Sequence, residues 1–292
     1  MSNPVLYDNP GPRTRRRVLI ASVIAGVLLL GVVVIVLVRL AQAGQFAGAK
    51  WGPLINPADR QFSALWTGLT EALLNNVIAA VLAMSLSLVI GTLLALTRIT
   101  SARWYRWAVI GLIDLLRGLP VVIAIYLSYQ ILPEIGIALP KLWYLVIGLT
   151  AYNSVIIAEI VRSGVASLPR GQAEAAAAIG LTRGQSLRLI QLPQAFRVML
   201  PALISQLVVV FKDTSLGFII LYPEAVRFAQ IAVVQLDNPI QLFFVLAVIF
   251  ILINYLLSRF AVWVEHRLSR ARTTAPADAS ETAELVGTNT GG

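Results

Sequence analysis

The sequence predicts an all-α membrane protein with six transmembrane helices, both termini in the cytoplasm, and a cytoplasmic helical hairpin between the fourth and fifth spans. Three observations lead to this fold class. Of 292 residues, 58% are hydrophobic and only 13% are charged, whereas soluble domains carry about 25% charged residues. Six apolar runs are long enough to cross a bilayer. The basic residues are concentrated on one side of these runs.

The first apolar run, residues 18–38, follows the basic segment 13–17. A signal peptide has the same order of charge and hydrophobicity, but this run is too long and no clean small-residue cleavage site follows it. At about 1.5 Å per residue, the run covers a hydrocarbon core of about 30 Å. We therefore expect a retained anchor, and we assign residues 1–64 to a basic N-terminus, an extra transmembrane helix and an external loop.

Five further runs form the rest of the membrane part, assigned to residues 65–268. Proline and glycine near the middle of the third run predict a local break in that helix. The tail, residues 269–292, has no apolar period and is expected to be disordered. The five predicted spans are residues 69–96, 107–131, 142–165, 199–221 and 240–262.

The distribution of basic residues predicts the orientation in the membrane. Sixteen arginines lie before the first span, between the second and third spans, around the hairpin, or after the last span, against five basic residues on the opposite side. By the positive-inside rule, the side with sixteen is cytoplasmic. The net charge of +9 is therefore a topology signal. Basic clusters are not interleaved with aromatic residues, which argues against a nucleic-acid partner.

The polar segment 167–193 predicts the hairpin. Ser167 is expected to cap its first helix, with Pro169 in the opening turn. The run 173–178 consists of strong helix formers, and Gly180 provides the stop. An ordinary cytoplasmic loop that is helical by chance would have the same features.

The second helix of the hairpin has its own start signal. Thr182, followed three residues later by Gln185, predicts a capping box. Pro193 is expected to end this helix. The two helices and the glycine between them would form a rigid body outside the lipid.

The fixed positions of this hairpin resemble the EAA signature of permease subunits in bacterial ABC importers. Its flanks, including the runs 151–152, 159–162, 194–195 and 212–216, are similar to the polar amino acid subfamily of those permeases. The resemblance covers residues 65–266, and the extra basic-flanked span resembles the actinobacterial glutamate-system permeases. The matching hairpin residues, which the resemblance implies couple to an ATPase, are Gly171, Glu174, Ala175, Ala176, Gly180, Leu192 and Pro193.

The resemblance implies a set of partners and a substrate. A separate pair of ATPase subunits would receive the hairpin, and an external solute-binding protein would deliver a polar amino acid. Glutamate or a related acidic or amide amino acid is the expected substrate. A second permease subunit, identical or related, would complete the path. Relatives commonly have threonine where this chain has Leu119 and Ala72, and these departures would retune the pocket or show that this subunit does not hold substrate.

No catalytic, metal-binding or cofactor-binding residue is expected in this chain. The sequence has no cysteine and one histidine, which leaves no thiolate site and no constellation for nucleophilic catalysis. The phosphate-binding pattern Gly-x-x-x-x-Gly-Lys-[Ser/Thr] is absent, so ATP and magnesium would be bound by the partner ATPase.

Ionisable residues within predicted spans are costly and therefore mark candidate functional positions. Asp114 and Arg117, and likewise Glu159 and Arg162, have the i, i+3 spacing of an ion pair along one helix. The alternative for Arg117 is a substrate cavity. Arg117 and a polar run in the fifth span would then provide a positive field for an acidic amino acid. The candidates for this substrate path are Arg117, Asn153, Lys212, Asp213, Thr214 and Ser215.

Two other functions compete with import. A membrane scaffold or receptor of the same fold would not need polar residues at depth. A proton- or sodium-coupled carrier would not need a docking hairpin. Co-purification of a soluble ATPase would separate the three hypotheses.

Overall fold

The computed structural model describes residues 11–100 and 103–273. In these residues the chain folds into eleven α-helices, with a π-helical turn at Leu187–Gln191 and a 3-10 segment at Thr214–Ile220. The α-helices are α1 (Pro12–Gln42), α2 (Gly48–Ile55), α3 (Phe62–Thr100), α4 (Arg103–Gly118), α5 (Val121–Glu134), α6 (Lys141–Ala166), α7 (Arg170–Ala178), α8 (Arg183–Ser186), α9 (Leu192–Asp213), α10 (Ala225–Leu236) and α11 (Pro239–Thr273).

Five helical stretches in the described residues are long and apolar enough to cross a membrane. They are α1, α3, α6, the continuous stretch Arg183–Ile220 and the apolar part of α11, Pro239–Val264. The pair α4 and α5 passes the same test only together, and its two halves are bent by 103°. The all-helical class with up to six spans is thus confirmed.

The bend between α4 and α5 has a local cause. Pro120 precedes the first residue of α5 as its N-cap. Proline has no N–H to continue a helix, and its ring clashes with the carbonyl four residues earlier. The break predicted from Gly118 and Pro120 is therefore present, but the third span is two helices almost at right angles.

The centre of the molecule is α6, which packs against α3, α5 and α9. Small residues allow this close packing. A Cβ atom on Gly148 would lie 2.5 Å from the Cα atom of Ile125 on α5, and one on Gly91 would lie 2.6 Å from the carbonyl oxygen of Ser154. The core around α6 includes the buried residues Ala79, Ala83, Ile125, Leu145, Leu149 and Phe211.

The hairpin, residues 167–193, lies at one end of α6, which we call the hairpin end. At the opposite end, α2 and α10 pack on α3 and α11 around Leu54, Leu69, Ala229 and Leu242. Helix α10 was not expected from the sequence. Its buried residues Ala225, Ala229 and Ala232 nevertheless have the spacing of one helix face.

Helix α1 differs from the others because it has no buried residue. The segment after it is held at the opposite end, where the carbonyl oxygen of Gln45 accepts hydrogen bonds from Trp51 Nε1 and Gln241 Nε2. The chain is therefore attached to the packed helices from Gln45 onward, whereas no residue of α1 is buried against them.

At the other terminus, α11 continues as a helix to Thr273. The expectation of disorder from residue 269 is wrong for 269–273. The remaining predicted tail, 274–292, lies outside the described residues.

Candidate functional site

The first helix of the hairpin, α7, begins at Arg170 with Pro169 as its N-cap and no side-chain cap. The predicted cap, Ser167, instead ends α6, where its hydroxyl donates to the carbonyl oxygen of Gly164 at 2.8 Å. The expectation for Ser167 is wrong because Pro169 already fixes the backbone for the start of α7. Gly180 ends the helical turn with a φ of +80°, a conformation that glycine adopts without strain.

The second helix begins as the sequence predicts. The backbone N–H of Gln185 donates to Thr182 Oγ1 at 3.3 Å, and the N–H of Thr182 donates to Gln185 Oε1 at 2.9 Å. This reciprocal pair is a complete capping box. It fixes the direction in which α8 leaves the turn.

Pro193 does not end the second helix, contrary to expectation. The helix continues from Arg183 to Ile220. The π-helical turn at Leu187–Gln191 lies directly before the proline, and such a turn accommodates the missing hydrogen bond and the ring. The hairpin is therefore joined to the span α9 without a flexible break.

The hairpin exposes most of the residues that the sequence assigns to coupling. Ala176 is buried and Leu192 is half-buried, whereas the other five assigned residues are exposed. Ile179 is 74% exposed and Leu189 is 66% exposed. Large apolar side chains exposed on an otherwise polar hairpin are typical of a surface that binds another protein.

Arg117 lies in a cluster of three arginines around one carboxylate. Glu159 Oε2 accepts from Arg162 Nε at 2.7 Å, which confirms the predicted pair, and Glu159 Oε1 accepts from Arg98. Arg117 Nη2 lies 3.5 Å from Glu159 Oε1. The expectation of an Asp114–Arg117 pair is wrong: Asp114 forms no ion pair with any described residue.

This position also separates Arg117 from Lys212, the other cation among the substrate-path candidates. Glu159 lies seven residues before the end of α6, about 10 Å from the hairpin end. Lys212 lies twenty residues into α9, about 30 Å from the same end. The structure therefore does not bring Arg117 and Lys212 together, as a shared cavity would require.

Asn153 is fully buried in the contact between α6 and α9. Its Nδ2 donates to the carbonyl oxygen of Leu149 at 2.8 Å, and its Oδ1 accepts from Gln206 Nε2 at 2.7 Å. Both ends of the amide are occupied, so in this conformation the side chain joins two spans.

The polar run in the fifth span marks a change of helix type, as the predicted local break implies. Helix α9 ends at Asp213, and the chain continues as a 3-10 helix. Lys212 is exposed and Asp213 and Ser215 are half-buried, whereas Thr214 is fully buried. The run therefore points in several directions around the helix.

Thr214 belongs to a buried polar network at the opposite end. Asn76 Nδ2 donates to Thr214 Oγ1 at 2.9 Å, and Asn76 Oδ1 accepts from the backbone N–H of Ala225 at 3.0 Å. Asn76 also contacts Glu224, the N-cap of α10. The network joins α3 to the chain segments on both sides of the turn 221–224.

Glu224 is the ionisable member of this buried network, and it lies in the turn outside the spans. Its carboxylate accepts the backbone N–H groups of Val226 and Arg227 at 2.8 and 2.7 Å. Burial raises the pKa of Glu224 to about 7, and the hydrogen bonds from Val226, Arg227 and Asn76 counteract only part of that rise. An acidic group that titrates near neutral pH thus holds the start of α10.

A cavity of about 420 Å³ lies at the same end. Its charged lining residues are Glu71, Lys141 and Arg227, one negative and two positive. Asn75, which also lines it, donates its Nδ2 to the carbonyl oxygen of Pro223 at 2.8 Å. Two members of the buried network, Asn76 and Glu224, directly follow the lining residues Asn75 and Pro223 in the sequence.

Sequence reasoning missed this cavity. Lys141 and Arg227 were read only as loop charges that report topology, and Glu71 lies near the predicted start of a span. The three residues are far apart along the chain, and each belongs to a different helix. Ala72, noted in the sequence as a departure from relatives, lines the cavity as well.

The fold and these sites define a class: a helical protein of the membrane in which an exposed hairpin is continuous with a span. The family described as "Binding-protein-dependent transport system inner membrane component" matches residues 87–270. The chain belongs to this family. It is therefore the permease-type component of such a transport system, crosses the plasma membrane several times, and belongs to a non-catalytic class of subunit.

Individual relatives agree with this assignment. The glutamate transport system permease protein GluD of Corynebacterium glutamicum is 40% identical over 240 residues, which are 80% of this chain and 85% of the relative. The probable glutamine ABC transporter permease protein GlnP of Bacillus subtilis is 34% identical over 206 residues, 70% of this chain and 93% of that protein. The resemblance to the ABC importer permeases of the amino acid subfamily is confirmed.

Solved structures support the fold. A chain from the crystal structure of an amino acid ABC transporter with histidines has a TM-score of 0.65 at 25% identity, covering 72% of this chain and 99% of that one. The MetNI methionine ABC transporter has a TM-score of 0.53 at 21% identity, covering 71% of this chain and 99% of that one. The unmatched part of this chain exceeds a quarter of its length in both cases.

Proposed function

We propose that this chain is the permease subunit of an ATP-driven importer for an acidic or amide amino acid, with glutamate as the first candidate. The observation that carries this proposal is the uninterrupted helix Arg183–Ile220, which joins an exposed hairpin to a membrane span. A push on the hairpin would move α9 as one body. That is the mechanical requirement for converting a partner's ATP hydrolysis into movement of the spans.

The proposal includes a set of partners. A pair of ATPase subunits, which hold ATP and magnesium, would receive the hairpin face that includes Glu174 and Ile179. This face would lie in the cytoplasm. A second permease subunit would form the other wall of the path, and an external solute-binding protein would deliver substrate at the opposite end. Alternating access would then arise from the movement of α9 against α6.

The charge of the cavity supports an acidic substrate. An acidic amino acid has two carboxylates and one ammonium group, and the lining residues Lys141, Arg227 and Glu71 provide the complementary two positive charges and one negative charge. The relative GluD belongs to a glutamate transport system. Lys212, Asp213 and Ser215 on the next helix segment are proposed to continue the path into the membrane.

The coupling part is tested by Glu174→Ala and Ile179→Glu in the reconstituted transporter. We expect uptake to fall about tenfold or more while the permease still folds and inserts in the membrane. Glu174→Ala removes a charged group from the docking face, and Ile179→Glu places a charge at a desolvated contact, which weakens docking of the ATPase. Ile55→Glu is the matched control, since Ile55 is 67% exposed at the opposite end. Normal uptake and normal stimulation of ATP hydrolysis in both hairpin variants would refute the docking role.

The substrate part is tested by Lys141→Met and Arg227→Gln. Each should raise the KM for glutamate about tenfold, the effect of losing one charge-assisted hydrogen bond. The variant at the side-chain carboxylate should affect glutamine less, whereas the variant at the α-carboxylate should affect both substrates. Arg39→Gln removes a basic residue on the exposed helix α1 and serves as the control. Equal loss for glutamate and glutamine in both variants would show that neither cation binds the side-chain carboxylate of glutamate, and an unchanged KM in both would place these cations outside the substrate path.

A further inference from the structure

The cluster of Arg98, Arg117 and Arg162 around Glu159 has more positive charge than it can neutralise internally. Three guanidinium groups share one carboxylate, which leaves two positive charges in excess. Each guanidinium has five N–H donors, and the two carboxylate oxygens are already occupied by all three arginines. In the part of the chain that the structure describes, no second acidic residue contacts them.

The three arginines are not held equally. Arg162 donates Nε at 2.7 Å and Arg98 forms the close pair, whereas Arg117 remains at 3.5 Å from Glu159 and its side chain is 54% exposed. The outer edge of the Arg117 guanidinium is therefore free to bind an additional group. The planar, forked donors of arginine suit an oxyanion such as phosphate.

The surroundings of Arg117 indicate which anion is available to bind it. Helix α4, which ends just after Arg117, buries Val109 and Ile113 against α6 and exposes Trp107 and Leu115 at 72% and 71%. A helix with one packed side and one apolar exposed side lies against lipid in a membrane protein. Because α4 is bent by 103° from α5, the two helices cannot both run perpendicular to the bilayer.

The depth of the cluster fits a lipid headgroup. Helix α6 has 26 residues and a length of about 39 Å, close to the full bilayer thickness of about 40–45 Å. Glu159 lies about 10 Å below its hairpin end, at the inner edge of the hydrocarbon. Arginine side chains at this depth reach outward to the headgroups.

We propose that Arg117, together with Arg98 and Arg162, forms a binding site for the phosphate of an anionic phospholipid in the leaflet at the hairpin end. The lipid phosphate would neutralise part of the excess charge, and its acyl chains would lie along Trp107 and Leu115. The bound lipid would hold α4 against α6 at the bend before α5. This site is distinct from the cavity and from the hairpin face.

The test uses the assembled transporter in nanodiscs of phosphatidylcholine with or without about one third phosphatidylglycerol. Native mass spectrometry counts retained phosphatidylglycerol, and fluorescence follows thermal unfolding. We expect Arg117→Gln to weaken phosphatidylglycerol binding about fivefold, the effect of one basic residue near an anionic surface. Arg197→Gln, an exposed arginine at the same end, should change it by less than about twofold.

Two further measurements on the wild type keep the test valid if the variant does not fold, and they distinguish the lipid from another source of phosphate. In the wild type, stabilisation by phosphatidylglycerol should weaken as salt is raised, since ion pairing is screened. Inorganic phosphate in pure phosphatidylcholine discs should not reproduce the stabilisation. Equal lipid retention in Arg117→Gln and wild type, or full stabilisation by inorganic phosphate alone, would overturn the proposal.

Discussion

Helices α1 and α6 show that hydrophobicity and burial run in opposite directions in this protein. Helix α1 is the most apolar of the candidate spans, yet none of its residues is buried. Helix α6 is among the least apolar, and about two thirds of its spanning window is buried inside the protein. In a soluble protein the more apolar helix would be the core helix.

The reason is that lipid removes the hydrophobic driving force between helices. Lipid tails are as apolar as leucine, so spans associate through close packing and interhelical hydrogen bonds instead. Helix α6 has both features, a glycine at the α5 contact and Asn153 bonded to α9. Helix α1 has glycines and a serine as well, but nothing lies against them. Small and polar residues bind helices together only where they are matched by a neighbour.

The largest expected effect is at the glycine of α6. In Gly148→Ala, the new Cβ would lie 2.5 Å from a backbone atom of Ile125, and backbone cannot move aside as a side chain can. We expect a loss of about 3 kcal/mol in stability and a large fall in the amount of assembled protein. Gly31→Ala in α1, where nothing lies within 4 Å, should be neutral. Thermal unfolding in detergent would measure the stability of both variants. Equal unfolding temperatures would contradict the idea that close packing distinguishes α6 from α1.

The next largest effect is a pH dependence of stability, which arises from a residue of the packed helices and not from α1. Burial raises the pKa of Glu224 from its usual 4.5 to about 7. Between these values the folded protein keeps a proton that the unfolded chain has lost, so stability should fall as pH rises from about 4.5 towards 7 and then level off.

Glu224→Gln should remove this slope, because the amide oxygen still caps α10 but does not titrate. Glu134→Gln, at an exposed carboxylate, should leave the slope unchanged. Unfolding temperatures of the three proteins across this range would be compared. An identical slope in Glu224→Gln would mean that another group titrates.

A smaller effect is expected from the hydrogen bond between α6 and α9. A double-mutant cycle of Asn153→Ala and Gln206→Ala should give a coupling energy of about 0.6 kcal/mol, and at most about 1.7 kcal/mol, the range of such bonds in membranes. The comparison is Ser22→Ala in α1, which has no neighbour and should change stability by less than about 0.5 kcal/mol. A coupling near zero would show that packing alone joins these spans.

The smallest effect on function is expected from removing α1. Deletion of residues 1–40 should lower the abundance of the complex but change the uptake rate per assembled complex by less than about twofold. The cut must stop before Gln45, because its carbonyl oxygen binds Trp51 and Gln241. Uptake per complex, normalised to purified protein, is the readout. Loss of uptake in fully assembled complexes would give α1 a place in the path.

The sequence predicts the spans well because length and apolarity are sufficient to identify them. It also predicts the capping box at Thr182, the stop at Gly180 and the break before α5, since each depends on neighbouring residues only. The prediction that Pro193 ends the second helix is wrong for an equally local reason. A proline normally interrupts a helix, and the wide turn that accommodates it leaves no clear mark in the sequence.

The candidate site is less predictable because its contacts join distant parts of the chain. Arg117 has Asp114 three residues away, but its partner Glu159 is on another helix. Asn153 was assigned to the substrate path, and its bond to Gln206 depends on how α6 and α9 are aligned. Likewise, the cavity combines charges from α3, α6 and α10. Single positions could be identified as polar residues at depth, but their partners are set by packing.

The π turn at Leu187–Gln191 makes the direction of the hairpin depend on a residue count. A turn of this kind holds one residue more than an α turn. Deleting one residue there would restore an ordinary helix and leave the hairpin nearly in its present direction, because the wide turn already accommodates the extra residue. Deleting a second residue would rotate the hairpin by about 100° around the axis of α9 and draw it about 1.5 Å closer. The exposed side chain of Ile179 would then point in a different direction around the axis of α9. Deletions of more than one residue in this five-residue window would therefore turn the hairpin, even where they leave every contacting side chain unchanged.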